Sequence, residues 1–350
     1  MLSTDEIQAA PELIADPTEA LIPFTDPRSH LSLHLLRVGI CLERYQALHT
    51  QGVPDAAERQ RAADERLVAI DRELQERERL SDRRLLPLLL MQDRLDLPDA
   101  AIRFLVAAAA PGLDLVLGRA LCSIAGGAGG PRQPDVGFLL DLVAADEIAY
   151  HTIVSALSEA APLVRHRLVR LGAPRGWVPE GPTLLAPVAV PQRVIGWLRG
   201  ELHFEGVRFA RSARLLRGSD DARLTGDLRE SLDRAVFHEE DGRAAPLVVV
   251  GPALSGKATA VRLVADARDL PTLEVDLDAL VVAPQPAEVL EELLREARLQ
   301  GALLLLRHAD ALDEKHAEVR RAVVALLTDA PEHLRVVLTQ RDAPDELLRL

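Results

Sequence analysis

From His30 to His49 apolar residues recur at helical spacing (Leu31, Leu35, Val38, Leu42, Tyr45) and predict an amphipathic helix. Asp55 to Arg79 also reads as helix, but it is dense in both signs of charge. Its apolar stripe is only Leu67, Ile70 and Leu74, which predicts a solvated arm. Further helical segments are expected at Leu86–Leu95, Asp99–Ala109 with Pro98 at its start, and Leu113–Ile124. The run from Gly126 to Pro134 is a loop, followed by helices at Asp135–Val143, Asp146–Leu157 and Leu163–Leu171. After Gly172 the text turns to Pro, Gly and β-branched residues, with a short strand expected at Thr183–Val190 and a short helix at Pro191–Leu198. Helices closed by a small β element predict a mainly α domain with a winged-helix-like end.

The grammar then changes. Arg199–Arg243 is rich in Arg, Asp and Glu and reads as a connector. Beyond it, apolar strands at Leu247–Val250, Leu273–Val275, Ala302–Leu306 and Leu334–Leu338 alternate with helices at Lys257–Ala267, Ala287–Leu299 and Lys315–Leu327. Continuous apolar strands between amphipathic helices predict a parallel sheet covered on both faces. The expected organisation is an acidic, Pro-containing tail or docking strap over 1–28 and a helical, winged-helix-like domain over 29–205. A charged connector over 206–245 and an α/β domain over 246–350 follow.

Composition narrows the picture. The 350 residues are 48% hydrophobic and 27% charged, so the chain is globular, and with 3% aromatics its cores rest on Leu, Val and Ala. A net charge of −13 repels phosphate backbones and makes nucleic acid an unfavoured partner. Cys41 and Cys122 lie in apolar helical text and are expected to be inert thiols in a reducing compartment. The N-terminus lacks the basic start and apolar run of a signal peptide, and no apolar stretch approaches the ~20 residues that span a bilayer. The expectation is a cytoplasmic protein with no membrane partner.

The chemistry concentrates in two places. The first α/β strand runs into Gly251-Pro252-Ala253-Leu254-Ser255-Gly256-Lys257-Ala258-Thr259, a glycine-bounded turn between strand and helix with a Lys at the helix start. Inward backbone N–H groups, a helix N-terminus and an ammonium group are what a polyphosphate needs, so this is read as a P-loop. The residue after the Lys should carry a Mg²⁺-binding hydroxyl, but it is Ala258. Thr259 is turned about 100° further round the helix. The third strand continues into Arg307-His308-Ala309-Asp310-Ala311-Leu312.

Those two segments resemble AAA ATPases, whose third strand reads four apolar residues and then Asp-Glu-Ala-Asp-Ala-Leu. This chain departs at Arg307 and His308, where the resemblance places the Mg²⁺ ligand and the water-activating base. The resemblance implies that Gly251 to Thr259 hold ATP or ADP, whose charge Lys257 and the Arg307 guanidinium would then meet. Those departures put Mg²⁺ in question and leave Thr259 and Asp310 as metal candidates and His308 and Thr339 as catalytic ones. Thr339-Gln340 ends the fourth strand where that family places a polar sensor residue. The N-terminal two-thirds resembles the helical, winged-helix-bearing domain ahead of AAA modules in some bacterial ATPases, some encoded beside phage-tail-like contractile injection systems. That implies other AAA subunits or a larger assembly as protein partners, in assembly or substrate recruitment. After the sensor strand only Asp342–Leu350 remains, consistent either with a longer natural chain carrying a second module or with a shortened pseudo-module.

Two other readings stay open. One is an active ATPase with displaced Mg²⁺ ligands. The other is a winged-helix DNA-binding regulator using Arg165, His166, Arg167 and Arg170, with Arg175 and Arg193 nearby. His30 and His34 have a spacing that suits a metal, but no third ligand is close in sequence, and they are read as surface residues. No Gly-x-Ser-x-Gly elbow or Cys/His pairing points to a nucleophile.

Overall fold

Three aspartates set helix starts in the N-terminal half by accepting a backbone N–H three residues on. Asp114 takes Leu117 N–H, Asp135 takes Phe138 N–H and Asp146 takes Ala149 N–H. The computed structural model describes residues 22–49, 55–158, 161–172, 183–204, 209, 211–218, 224–240, 243–328 and 334–341. It divides into two compact units, Met1–Leu202 and His203–Leu350.

The first unit is helical. Its elements are α1 (Pro27–His49), α2 (Ala56–Leu80), α3 (Pro87–Leu95), α4 (Asp99–Leu113), α5 (Leu115–Gly126), α6 (Val136–Val143), α7 (Glu147–Ala156), α8 (Pro162–Arg165) and α9 (Gln192–Leu198). Strands β1 (Arg170–Leu171) and β2 (Val188–Ala189) pair antiparallel before α9. α4 is the central helix, with Ile102, Phe104, Leu105 and Val106 buried. Trp197 of α9 is buried and donates its indole N–H to the Pro87 carbonyl at 2.9 Å, tying α9 to the start of α3. The helix expected over Leu163–Leu171 is one turn, α8; Arg167 then takes a left-handed φ of 50° and the chain enters β1. The strand expected at 183–190 is a 3₁₀ turn at Thr183–Leu185 followed by β2. Among the described residues no single helix is long and apolar enough to cross a membrane; the α4–α5 pair is apolar enough together but bends by 110°.

The second unit holds β3 (Ala213–Leu216), α10 (Gly226–Val236), β4 (Glu239–Glu240), β5 (Arg243–Ala244) and β6 (Leu247–Val250). It continues with α11 (Lys257–Asp266), β7 (Thr272–Asp276), α12 (Leu277–Leu280), α13 (Pro286–Gln300), β8 (Leu303–Arg307), α14 (Ala317–Thr328) and β9 (Val336–Gln340). The main sheet runs β3-β7-β8-β9-β6; its last four strands are parallel and β3 is antiparallel, so the sheet is mixed. Alternation along the strands sends Leu304, Leu306, Val336 and Leu338 into one core with α13 and α14. Leu303, Leu305 and Val337 go into a second core with α11. The connector expected over 206–245 is corrected: it supplies the edge strand β3 and the amphipathic α10, whose Val236 joins that second core. β6, at the other edge of the described sheet, is only half-buried.

Candidate functional site

Because β6, β8 and β9 are parallel, everything that follows each strand emerges at one end of the sheet, where open α/β sheets hold ligands. Loop 251–256 leaves β6, with Gly251 N–H donating to the Gln340 carbonyl of β9 at 3.2 Å. Gly256 has φ +81°, a left-handed cap that favours glycine, and opens α11. The first N–H groups of α11 have no acceptor within the helix, and they lie at its positive end. Lys257 begins α11 and folds back over the loop, donating to the carbonyls of Gly251 at 2.5 Å and Pro252 at 2.6 Å. A cleft of roughly 330 Å³ lies here, lined by Ala253 to Thr259 and by Arg307, His308, Asp310, Thr339, Gln340 and Arg341. The structure thus brings together nearly every residue singled out in the C-terminal sequence; Gly251 and Pro252 border the cleft through Lys257.

Each predicted role meets a specific environment. Ala258 packs its methyl against the α11 core. The Thr259 hydroxyl accepts from Arg262 at 3.3 Å. Asp310 accepts the Arg341 backbone N–H at 3.0 and 3.2 Å, closing the end of β9. Thr339 is buried, 4% exposed, within β9. Arg307 borders the cleft but donates to Glu274 of β7 at 2.7 Å, so its charge is already shared with a mostly buried carboxylate. His308 sits at a left-handed φ of 59° and turns Nδ1 toward Asp276 at 3.1 Å and Asp278 at 3.3 Å.

Sequence reasoning missed Glu274 and Asp276 of the neighbouring strand β7 and Asp278 in α12 just after it. Their relevance comes from the folded sheet: β7 pairs in register with β8, setting Asp276 opposite Arg307. Leu254, within the loop, adopts φ +61° and is fully exposed at the loop tip.

In the first unit the basic run is divided. Arg165 ends α8, His166 is buried, and Arg170 lies in β1. Arg193 donates to the Glu201 carbonyl at 2.7 Å. Arg175 lies outside the described residues. Residues 15–204, more than half of the chain, match the family described as winged helix domain, variant. The chain belongs to that family. The winged helix domain therefore takes in the first unit's helices and the small β1–β2 ribbon. No curated protein matches the chain.

The winged helix domain also holds a correction. His30 and His34, expected at the surface, are buried at 1% and 9% exposure, with Glu78 of α2 against both. Cys41 is buried and Cys122 half-buried, and both are free.

Proposed function

We propose that the second unit is an AAA-type P-loop module that binds ATP or ADP through its phosphates and does not turn it over. The observation that carries this reading is the charge of the cleft. In a chain of net charge −13, Lys257, Arg341 and the N-terminus of α11 line the cleft with Asp310, while Arg307 is paired with Glu274, and Asp276 and Asp278 are turned to His308. Lys257 gives its protons to loop carbonyls, a weaker set of partners than phosphate oxygens, so an incoming phosphate competes for it favourably. Adenine over guanine rests on the resemblance to AAA ATPases.

The residues do not fit Mg²⁺. Ala258 offers no oxygen, the Thr259 hydroxyl is engaged by Arg262, and Asp310 is occupied by the Arg341 backbone. Arg307 and His308 stand where the acidic pair would be, and His308 is turned toward Asp276. Such a module serves as a nucleotide-sensitive part of an assembly or a recruitment platform, with protein partners. ATP titrations in Mg²⁺ and in EDTA, with steady-state turnover, test this: affinity is expected to be unchanged or weaker in Mg²⁺, with turnover at background. Mg²⁺-enhanced binding with turnover would restore the active-ATPase reading.

A second reading has the family match in its favour, since winged helices include DNA-binding modules. Against it stand the net charge and the single-turn α8, too short to lie along a major groove. Titration of the full chain with duplex DNA at about 0.15 M salt is expected to show no sub-micromolar binding. Tight, salt-sensitive binding would favour the regulator.

A further inference from the structure

α1 and α2 form an antiparallel hairpin, and its open end carries a convergence that neither helix reveals alone. His30 and His34 lie one turn apart on the same face of α1, and Glu78 sits near the end of α2. All three direct one ligand-type atom at a common point. His30 Nε2 is 2.8 Å from Glu78 Oε1, His34 Nε2 is 3.2 Å from the same oxygen, and the two Nε2 atoms are 3.1 Å apart. The rings meet edge to face, with centroids 4.6 Å apart and planes at 86°.

We propose that His30, His34 and Glu78 form a binding site for a divalent transition-metal ion of the zinc class, stapling the open end of the α1–α2 hairpin.

The spacing is that of ligands around one ion. Neighbouring ligands on an ion at about 2.1 Å stand roughly 3.0 Å apart in an octahedral face and about 3.4 Å apart in a tetrahedron. Two imidazoles and one carboxylate suit zinc and its borderline neighbours. Without an ion, two Nε2 atoms and one carboxylate oxygen crowd together and share the Nε2 protons that the tautomers supply. An ion at their centre would take a lone pair from each of the three atoms.

The surroundings leave the cluster open to an ion. Arg37, the nearest cation along α1, is neutralised by Asp71 at 2.6 Å. Glu78 keeps a fifth of its side chain exposed, leaving a path for the ion and for a completing water. The incoming chain is fixed at the same place. Phe24 is buried edge-on to His30, donates its N–H to Ser81 Oγ at 2.7 Å and lies under the Arg77 guanidinium. An ion there would therefore also brace the docked segment ahead of α1.

The full chain, stripped with EDTA and dialysed, should bind one equivalent of Zn²⁺ by calorimetry. Co²⁺ should give visible absorption bands of a low-coordinate nitrogen–oxygen site, which Zn²⁺ then quenches. Glu78→Gln and His34→Gln should each weaken Zn²⁺ binding about tenfold or more and remove the Co²⁺ bands. His308→Asn, beside Asp276 and Asp278, should change neither. Zn²⁺ should also raise the melting point of the first unit, followed by tryptophan fluorescence, in wild type and His308→Asn. Should one glutamine variant fail to fold, the other decides. No stoichiometric binding by wild type, binding unchanged in the folded glutamine variants, or binding lost in His308→Asn overturns the site.

Discussion

Arg307 at the end of β8 is paired with Glu274 of β7 at 2.7 Å, and Glu274 is the more buried partner, at 11% exposure against 32%. The cation that replaces an expected acidic residue is thus part of the sheet's own charge balance. Arg262 also approaches Glu274, at 3.9 Å. Restoring an acidic residue alone, Arg307→Asp, would set two carboxylates together and is expected to destabilise the second unit by about 1–3 kcal/mol. Adding Glu274→Gln should recover roughly 1 kcal/mol of that loss as coupling. Both tryptophans fall in the first unit, so the measurement is hydrogen exchange of β7 and β8 rather than fluorescence. Additive effects of the two substitutions would show that the pair carries no energy.

Leu254 stores strain of a different kind. A non-glycine residue at φ +61° costs on the order of 1 kcal/mol, and this leucine packs against nothing. Leu254→Gly is expected to be neutral or to stabilise by up to about 1 kcal/mol, because glycine's greater unfolded entropy offsets part of the relief. Leu254→Val should destabilise by about 1 kcal/mol or more, since β-branching makes the left-handed region worse. Calorimetric melting of the second unit gives the order; a valine variant as stable as the glycine one contradicts it.

The thiols offer a check on the first unit. Burial pushes the Cys41 thiol up, with Arg37 only partly opposing, and burial also raises Cys122. At neutral pH both are protonated and slow to alkylate. Iodoacetamide should label Cys122 first, faster as pH rises, and reach Cys41 only after denaturation. Labelling of native Cys41 at a rate matching Cys122 would mean that α1 opens locally.

The pattern of the chain carried the fold where packing is local or the strand is buried on both faces. Leu303–Leu306 could be little else than a central strand, and the apolar spacing from Leu31 to Tyr45 marked α1. β3 was invisible because it is a short antiparallel edge strand with Arg214 in it, which reads as connector. α10 was missed because, of its residues, only Val236 is buried. The loop, Lys257, Arg307 and His308 were legible because they follow strands directly. Glu274, Asp276 and Asp278 were not, since their relevance comes from strand pairing across more than thirty residues. Glu78 was hidden likewise: it reaches His30 from 48 residues away, on a helix whose charge suggested only solvent.

The central claim is that the glycine-bounded loop and Lys257 hold a nucleotide's phosphates without a metal. Calorimetric titration of ATP into the full chain in EDTA, for wild type and Lys257→Ala, tests it most directly. Removing a charge-assisted phosphate contact should cost about 1.5–3 kcal/mol, a tenfold or greater loss of affinity, with the fold unchanged by circular dichroism. Equal affinity in the two proteins, or none in the wild type, would contradict the account.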